Sequence, residues 1–210
     1  MEMKHNARFV FVGDSITEEG RFDDPEGVGY GYVRFIRDYL LTEFPNKNIE
    51  VINRGVGGNR IIDLVARFQR DVIALKPDYV SIFIGINDVW RQLDEPELDQ
   101  IYPEKFEEIY HQLIRMVQER TEANIILIEP TIYQEDMTSL GNELLKPYVN
   151  IVRDLARTYG VTLIPTNREF LKVISNEKHP TLTVDGVHMT STGDMLIAKT
   201  WMNAFIQEFL

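Results

Sequence analysis

The feature that most limits what this chain can fold into is a regular alternation of two hydrophobic patterns. Short apolar, β-branched runs recur at residues 8–12, 49–53, 79–84, 124–129 and 161–164. Runs of that length and make-up suit strands buried on both faces. Between them lie stretches with helical spacing. The clearest is Ile61, Val65, Phe68, Val72 and Leu75, closed by Lys76-Pro77. Further helices are expected at 32–44, 103–120, 142–159, 168–174 and 192–209. Pro147 should start or kink the helix around it, and Gly160 should close that helix. Strands alternating with helices over the whole length call for a parallel sheet covered on both faces. No Gly/Ser linker, repeat or low-complexity run divides the chain, so residues 1–210 read as one domain.

Length and composition narrow the chemistry. At 24.4 kDa, folding should leave roughly 10,000 Å² exposed of about 35,000 Å² in the unfolded chain. That is enough burial for a core without staples. There is no cysteine, which excludes disulfides, cysteine nucleophiles and every cysteine-containing zinc site. The four histidines are scattered, so no metal site is expected. The net charge of -11 argues against nucleic acid as a partner. No run is apolar enough to span a membrane. The N-terminal residues lack the pattern of a secretory leader, and a cytoplasmic location is expected. Exposed aromatics such as Tyr30, Tyr32, Tyr133 and Trp90 could serve either a pocket or a homo-oligomer interface.

Chemistry-bearing residues gather where strands should end. The first strand runs into Gly13-Asp14-Ser15-Ile16-Thr17, which sets a Ser hydroxyl at the sheet rim. A Ser needs an adjacent base to act as a nucleophile, and the plainer reading is a helix cap by Asp14 or Ser15. The second strand runs into Asn53-Arg54-Gly55-Val56-Gly57-Gly58-Asn59-Arg60, where glycines free backbone N–H groups to meet an anion. The third runs into Gly85-Ile86-Asn87-Asp88, whose Asn amide could complete an oxyanion hole or form an Asx-turn. Asp185 and His188 stand three apart before the last helix, and Thr190 or Ser191 should cap that helix. That Asp can take the Nδ1 proton and leave Nε2 for a Ser. His5, His111 and His179 have no acid so placed. The loops at 94–103 and 134–141 follow strands and should share the same rim. Together these residues supply the parts needed for acyl transfer.

The chain resembles the SGNH hydrolases of the GDSL esterase/lipase superfamily. Four blocks carry the likeness in order: Gly13-Asp14-Ser15, Gly58 within 53–59, Gly85-Ile86-Asn87-Asp88, and 185–188. The resemblance implies a flavodoxin-like three-layer α/β/α sandwich with a five-stranded parallel sheet, and serine-esterase activity without metal or cofactor. It implies Ser15 as nucleophile, His188 as base and Asp185 as its partner. The Ser15 and Gly58 N–H groups and the Asn87 side chain would form the oxyanion hole. The run 85–92, with Ser15-Ile16-Thr17 and Lys76-Pro77-Asp78, is similar to intracellular acetylxylan esterases, which deacetylate xylo-oligosaccharides. Asp14 and Trp90 are then candidates for substrate contact, Trp90 against an acetyl methyl or a sugar face. Ile16, Gly57 and Met189 depart from the residues frequent in the family, but none removes a reacting group.

The expected activity is removal of short acyl groups, acetyl above all, from a small ester that is an acetylated sugar. A general acylhydrolase or thioesterase would use the same residues. A ligand-binding module that had kept the fold is a rival of another class. A nucleotide-binding flavodoxin-like protein is a third, and it lacks any phosphate-loop motif to support it.

Overall fold

The computed structural model describes residues 3–210. Within them the sheet has five strands: β1 (Arg8–Gly13), β2 (Glu50–Gly55), β3 (Tyr79–Phe83), β4 (Asn124–Ile128) and β5 (Thr162–Ile164). All pairings are parallel, in the order β2-β1-β3-β4-β5. The chain steps from β1 to one side, then crosses back to lay β3 on the other. The order therefore reverses between β1 and β3, and the crevice at their carboxyl ends is where open α/β sheets bind ligands. Gly13 pairs with Gly55 on one side and Phe83 on the other, so the first three strands finish level.

Helices cover both faces, giving the three-layer α/β arrangement that the alternation calls for. On one face α2 (Tyr32–Glu43) and α7 (Thr166–Ile174) flank α8 (Ser191–Phe209). On the other lie α3 (Ile61–Asp71), α4 (Ile86–Asp94), α5 (Pro103–Arg120) and α6 (Leu140–Tyr159). A single turn, α1 (Ser15–Glu18), follows β1 directly. The central aromatics lie between β1, β3 and α8. Phe9 stacks on Tyr79 at 4.4 Å and Trp201 on Phe205 at 4.8 Å, and the Trp201 Nε1–H donates to the Ser81 hydroxyl. The accessible surface is 9844 Å², close to what the mass requires.

The structure departs from the sequence expectations at several points, among them the helix α4, which no expected helix covered. The long helix after β2 stops at Asp71, and residues Ile73–Leu75 form a 3₁₀ turn ended by a left-handed Lys76. Helix α6 runs through Pro147 rather than starting there, because Ser139 sets its start by accepting from the Asn142 amide. Pro147 and Glu143, whose carbonyl loses a partner, are both exposed, so water can satisfy that carbonyl. Tyr32 is not an exposed aromatic. It is fully buried, and its hydroxyl lies 3.0 Å from Thr17 Oγ1. Gly160 closes α6 in a left-handed conformation, and Thr190 caps α8, as read from the sequence. Among the described residues, no helix is long and apolar enough to cross a membrane.

Candidate active site

Ser15 is the first residue of α1, placed by the abrupt turn from β1. Asp14 makes that turn. Its Oδ1 accepts from the Ile16 amide at 3.0 Å, and it is only 2% exposed. Burial, opposed by the Ile16 amide and by the nearby charges of His188 and Arg67, lifts its carboxyl to about 7. The structure thus places Asp14 as the cap, one of the two roles the sequence allowed, and buries it away from the substrate contact that was the other. Asn53 ties β2 to the same turn. Its amide donates to the Thr17 and Val28 carbonyls, and its Oδ1 accepts from Gly55 N.

The loop after β2 comes beside Ser15. Gly58 is exposed with φ +75, a left-handed conformation natural to glycine. The Gly57 N–H donates to Glu18 Oε2 at 3.2 Å, and the Val56 N–H to the Gly13 carbonyl at 3.1 Å. Asn87 stands in the first turn of α4, 1% exposed, and its Nδ2 donates to the Asn59 carbonyl at 3.0 Å. Next to it Asp88 is fully buried, with both carboxyl oxygens 3.2 Å from the Ile61 N–H that begins α3. Desolvation raises its carboxyl to about 8.

Residues Asp185 and His188 arrive from the loop before α8. His188 Nδ1 lies 2.6 Å from Asp185 Oδ2, and His188 Nε2 lies 2.9 Å from Ser15 Oγ. The Val187 and His188 amides donate to Asp185 Oδ1 at 2.9 and 2.8 Å. Burial pushes the Asp185 carboxyl up, but these bonds from His188 and the two amides prevail and hold it below the usual range. Trp90 is half-buried beside the imidazole, its ring 5.8 Å from His188 and 6.3 Å from Tyr133. The structure therefore brings together Ser15, Asp185, His188, Asn87 and Trp90 at the sheet switch point. Among the described residues no group of three or more His, Asp or Glu is placed to hold a metal.

Sequence reasoning missed what holds the His188 loop. Glu135, in the loop after β4, accepts at Oε1 from Leu182 N (2.9 Å), Thr183 N (2.7 Å) and Thr183 Oγ1 (2.7 Å). Its Oε2 lies 3.3 Å from His179 Nδ1, so His179 does have an acid beside it. The neighbouring Gln134 amide donates to the Gly186 carbonyl at 2.7 Å. The only sequence signal was that 134–141 is a loop at the same rim. Arg67, on α3, was not singled out from the sequence, and its guanidinium reaches Asn59 Oδ1 and the Gly13 carbonyl beside the loop after β2.

Comparison with known proteins agrees with this arrangement. Residues 11–196 match the GDSL-like Lipase/Acylhydrolase family. An acetylxylan esterase of Geobacillus stearothermophilus is 33% identical over 210 residues, covering 96% of this chain and 95% of that protein. A solved structure of a catalytic mutant of an acetylxylan esterase from that organism superposes with TM-score 0.90 at 31% identity, covering 97% of this chain and 96% of the other. An α/β hydrolase enzyme from the metagenome of Lake Arreo, Spain, superposes with TM-score 0.89 at 31% identity, covering 96% of each chain. Catalytic mutants of the Geobacillus esterase replace a Ser, an Asp or a His by Ala, and that Asp and His are three positions apart, as are Asp185 and His188. On this match, and with its blocks assembled at one rim, the chain belongs to the GDSL-like lipase/acylhydrolase family.

Proposed function

We propose that this protein is a serine esterase that removes acetyl groups from acetylated sugars of the xylo-oligosaccharide kind. The observation that carries the reading is the continuous line Asp185 Oδ2–His188–Ser15 Oγ, at 2.6 and 2.9 Å. Ser15 Oγ attacks the ester carbonyl while His188 Nε2 takes its proton. Asp185, kept ionised by its three hydrogen bonds, stabilises the imidazolium and holds Nε2 toward Ser15. The tetrahedral oxyanion is met by the Ser15 and Gly58 N–H groups and by Asn87. His188 then gives its proton to the leaving alcohol, and water, deprotonated by the same imidazole, releases acetate from the acyl-enzyme.

The acetyl-sugar assignment draws support from the Geobacillus acetylxylan esterase, which matches along nearly the whole chain, and from Trp90, whose ring stands beside His188 where an acetyl methyl or a pyranose ring would pack. The cysteine-free composition fits a cytoplasmic site of action. Ser15→Ala is expected to abolish hydrolysis of p-nitrophenyl acetate and labelling by a fluorophosphonate probe, with an unchanged circular dichroism spectrum. Wild-type activity in that variant would remove the assignment. Acetylated xylo-oligosaccharides should be deacetylated, and acetyl esters should turn over faster than octanoyl esters. The reverse chain-length order would favour a general acylhydrolase.

A further inference from the structure

Asn87 can stabilise an oxyanion only if its side-chain amide presents N–H rather than C=O to the reacting carbon. The structure shows what fixes that choice. One of the two Nδ2 hydrogens goes to the Asn59 carbonyl at 3.0 Å, which turns the amide nitrogen toward the loop after β2. Asn59 is itself held from below. Its Oδ1 accepts from Arg67 Nε at 2.8 Å. The same guanidinium donates to the Arg54 carbonyl at 2.7 Å, to the Gly13 carbonyl at 2.8 Å and to Asp71 Oδ2 at 3.0 Å. Four of its five N–H groups are thus used, a pattern that the rigid guanidinium fork allows and a lysine ammonium, with three donors, does not. Arg67 is 9% exposed, and it bridges the ends of β1 and β2 to the loop between β2 and α3. A second stitch, from the Ile61 amide to Asp88, fixes the start of α3 against the residue following Asn87.

We propose that Arg67 and Asn59 are positioning residues that orient the Asn87 amide toward the oxyanion, with Asn59 the joint between guanidinium and amide. This rests on the esterase reading above. Neither residue touches substrate. Both act through Asn87, so their effect should fall on kcat rather than KM and should require Asn87.

A double-mutant cycle on p-nitrophenyl acetate hydrolysis tests this. Removing one oxyanion donor costs on the order of 10²–10³ in kcat, and loosening one should cost about tenfold. Asn59→Ala is expected to lower kcat about tenfold with KM within twofold. Asn59→Asp, which keeps an acceptor for Arg67, is expected to recover most of the loss. In an Asn87→Ala background the effect of Asn59→Ala should shrink to less than about twofold. Arg67→Lys gives a second reading of the same relay, its kcat loss likewise depending on Asn87. Unchanged kcat in Asn59→Ala, or losses equally large with and without Asn87, would overturn the relay and leave the esterase reading intact. A wild-type protein with no turnover and no fluorophosphonate labelling would instead overturn the esterase reading itself.

Discussion

At the scale of single residues, two glycines near Ser15 look alike in sequence and do different work. Gly55 ends β2 where the chain leaves no room. A Cβ built there would lie 2.1 Å from Glu18 N and 2.5 Å from the Thr17 carbonyl carbon, both rigid backbone of α1. Gly58 faces open space, and only its φ of +75 favours glycine. Gly55→Ala should therefore push α1, and Ser15 with it, away from β2. The expected result is an overpacking cost of about 1–3 kcal/mol and loss of most esterase activity. Gly58→Ala should cost about 1–2 kcal/mol for the left-handed backbone while keeping the N–H in place and much of the activity. Thermal melts and acetate-ester kinetics on the two variants check this, and equal effects would contradict it. The same contrast explains what was legible. Ser15, Asp185 and His188 could be read because their residue types, placed after a strand and three apart in a loop, have few other uses together. Arg67, Asn59 and Glu135 could not. Arg67 and Glu135 bond backbone carbonyls and amides, and Asn59 meets the Arg67 and Asn87 side chains, all pairings that only the fold brings near. For Asp14 the sequence left both a cap and a substrate contact open, and only its burial in the turn decides for the cap.

At the scale of elements, the strands were legible because each is an apolar run, and the helix α4 was not. Its buried side includes Asn87 and Asp88 beside Ile86 and Val89, so the polar members disguise the helical period as an Asx-turn. The proposed role of Asn87 as an oxyanion donor accounts for that inversion, since its amide is held inward against the Asn59 carbonyl. The loop carrying Asp185 and His188 poses the opposite problem. It has no regular structure beyond the bridge between Thr183 and Met189, yet it must hold an imidazole to within a fraction of an ångström. Glu135 supplies the missing rigidity by accepting three hydrogen bonds across the interval from 135 to 183. Glu135→Ala leaves the Leu182 and Thr183 donors without their acceptor, which should cost about 1–3 kcal/mol of stability. It should also lower kcat about tenfold by loosening His188, while Glu135→Gln, which keeps an acceptor oxygen, loses less. Urea unfolding and steady-state kinetics separate the two effects. Undiminished kcat in Glu135→Ala would show that the loop holds His188 without the clamp.

At the scale of the whole molecule, the surplus of acids has a consequence beyond solubility, because several are buried. Desolvation is the leading cause that lifts Asp14 to about 7, Asp88 to about 8 and Asp194 to about 7. In the unfolded chain these carboxyls titrate near 4. Between about pH 4 and pH 8 the folded protein therefore binds more protons than the unfolded chain. Stability from these groups is fully present below the unfolded value and is lost as pH rises through 7 to 8. Asp24, Asp71 and Asp185 run the other way. At each, burial pushes the carboxyl up, but hydrogen bonds and nearby cations prevail and hold it low. Their contribution is present above the unfolded value and is lost only as pH falls through the acid range, so it is constant from pH 5 to 8. The growing negative charge, formally -11 at pH 7, adds self-repulsion on the alkaline side. The stability maximum should therefore lie near pH 5, with unfolding midpoints falling toward pH 8. Asp88→Asn removes one titrating proton and should reduce that slope by up to about 1.4 kcal/mol per pH unit. A urea-unfolding series across this range checks it, and midpoints that rise from pH 5 to pH 8 would contradict it. The carboxyls that shape the turn under Ser15 and fix the start of α3 set that alkaline decline, since they could not be buried there without resisting ionisation.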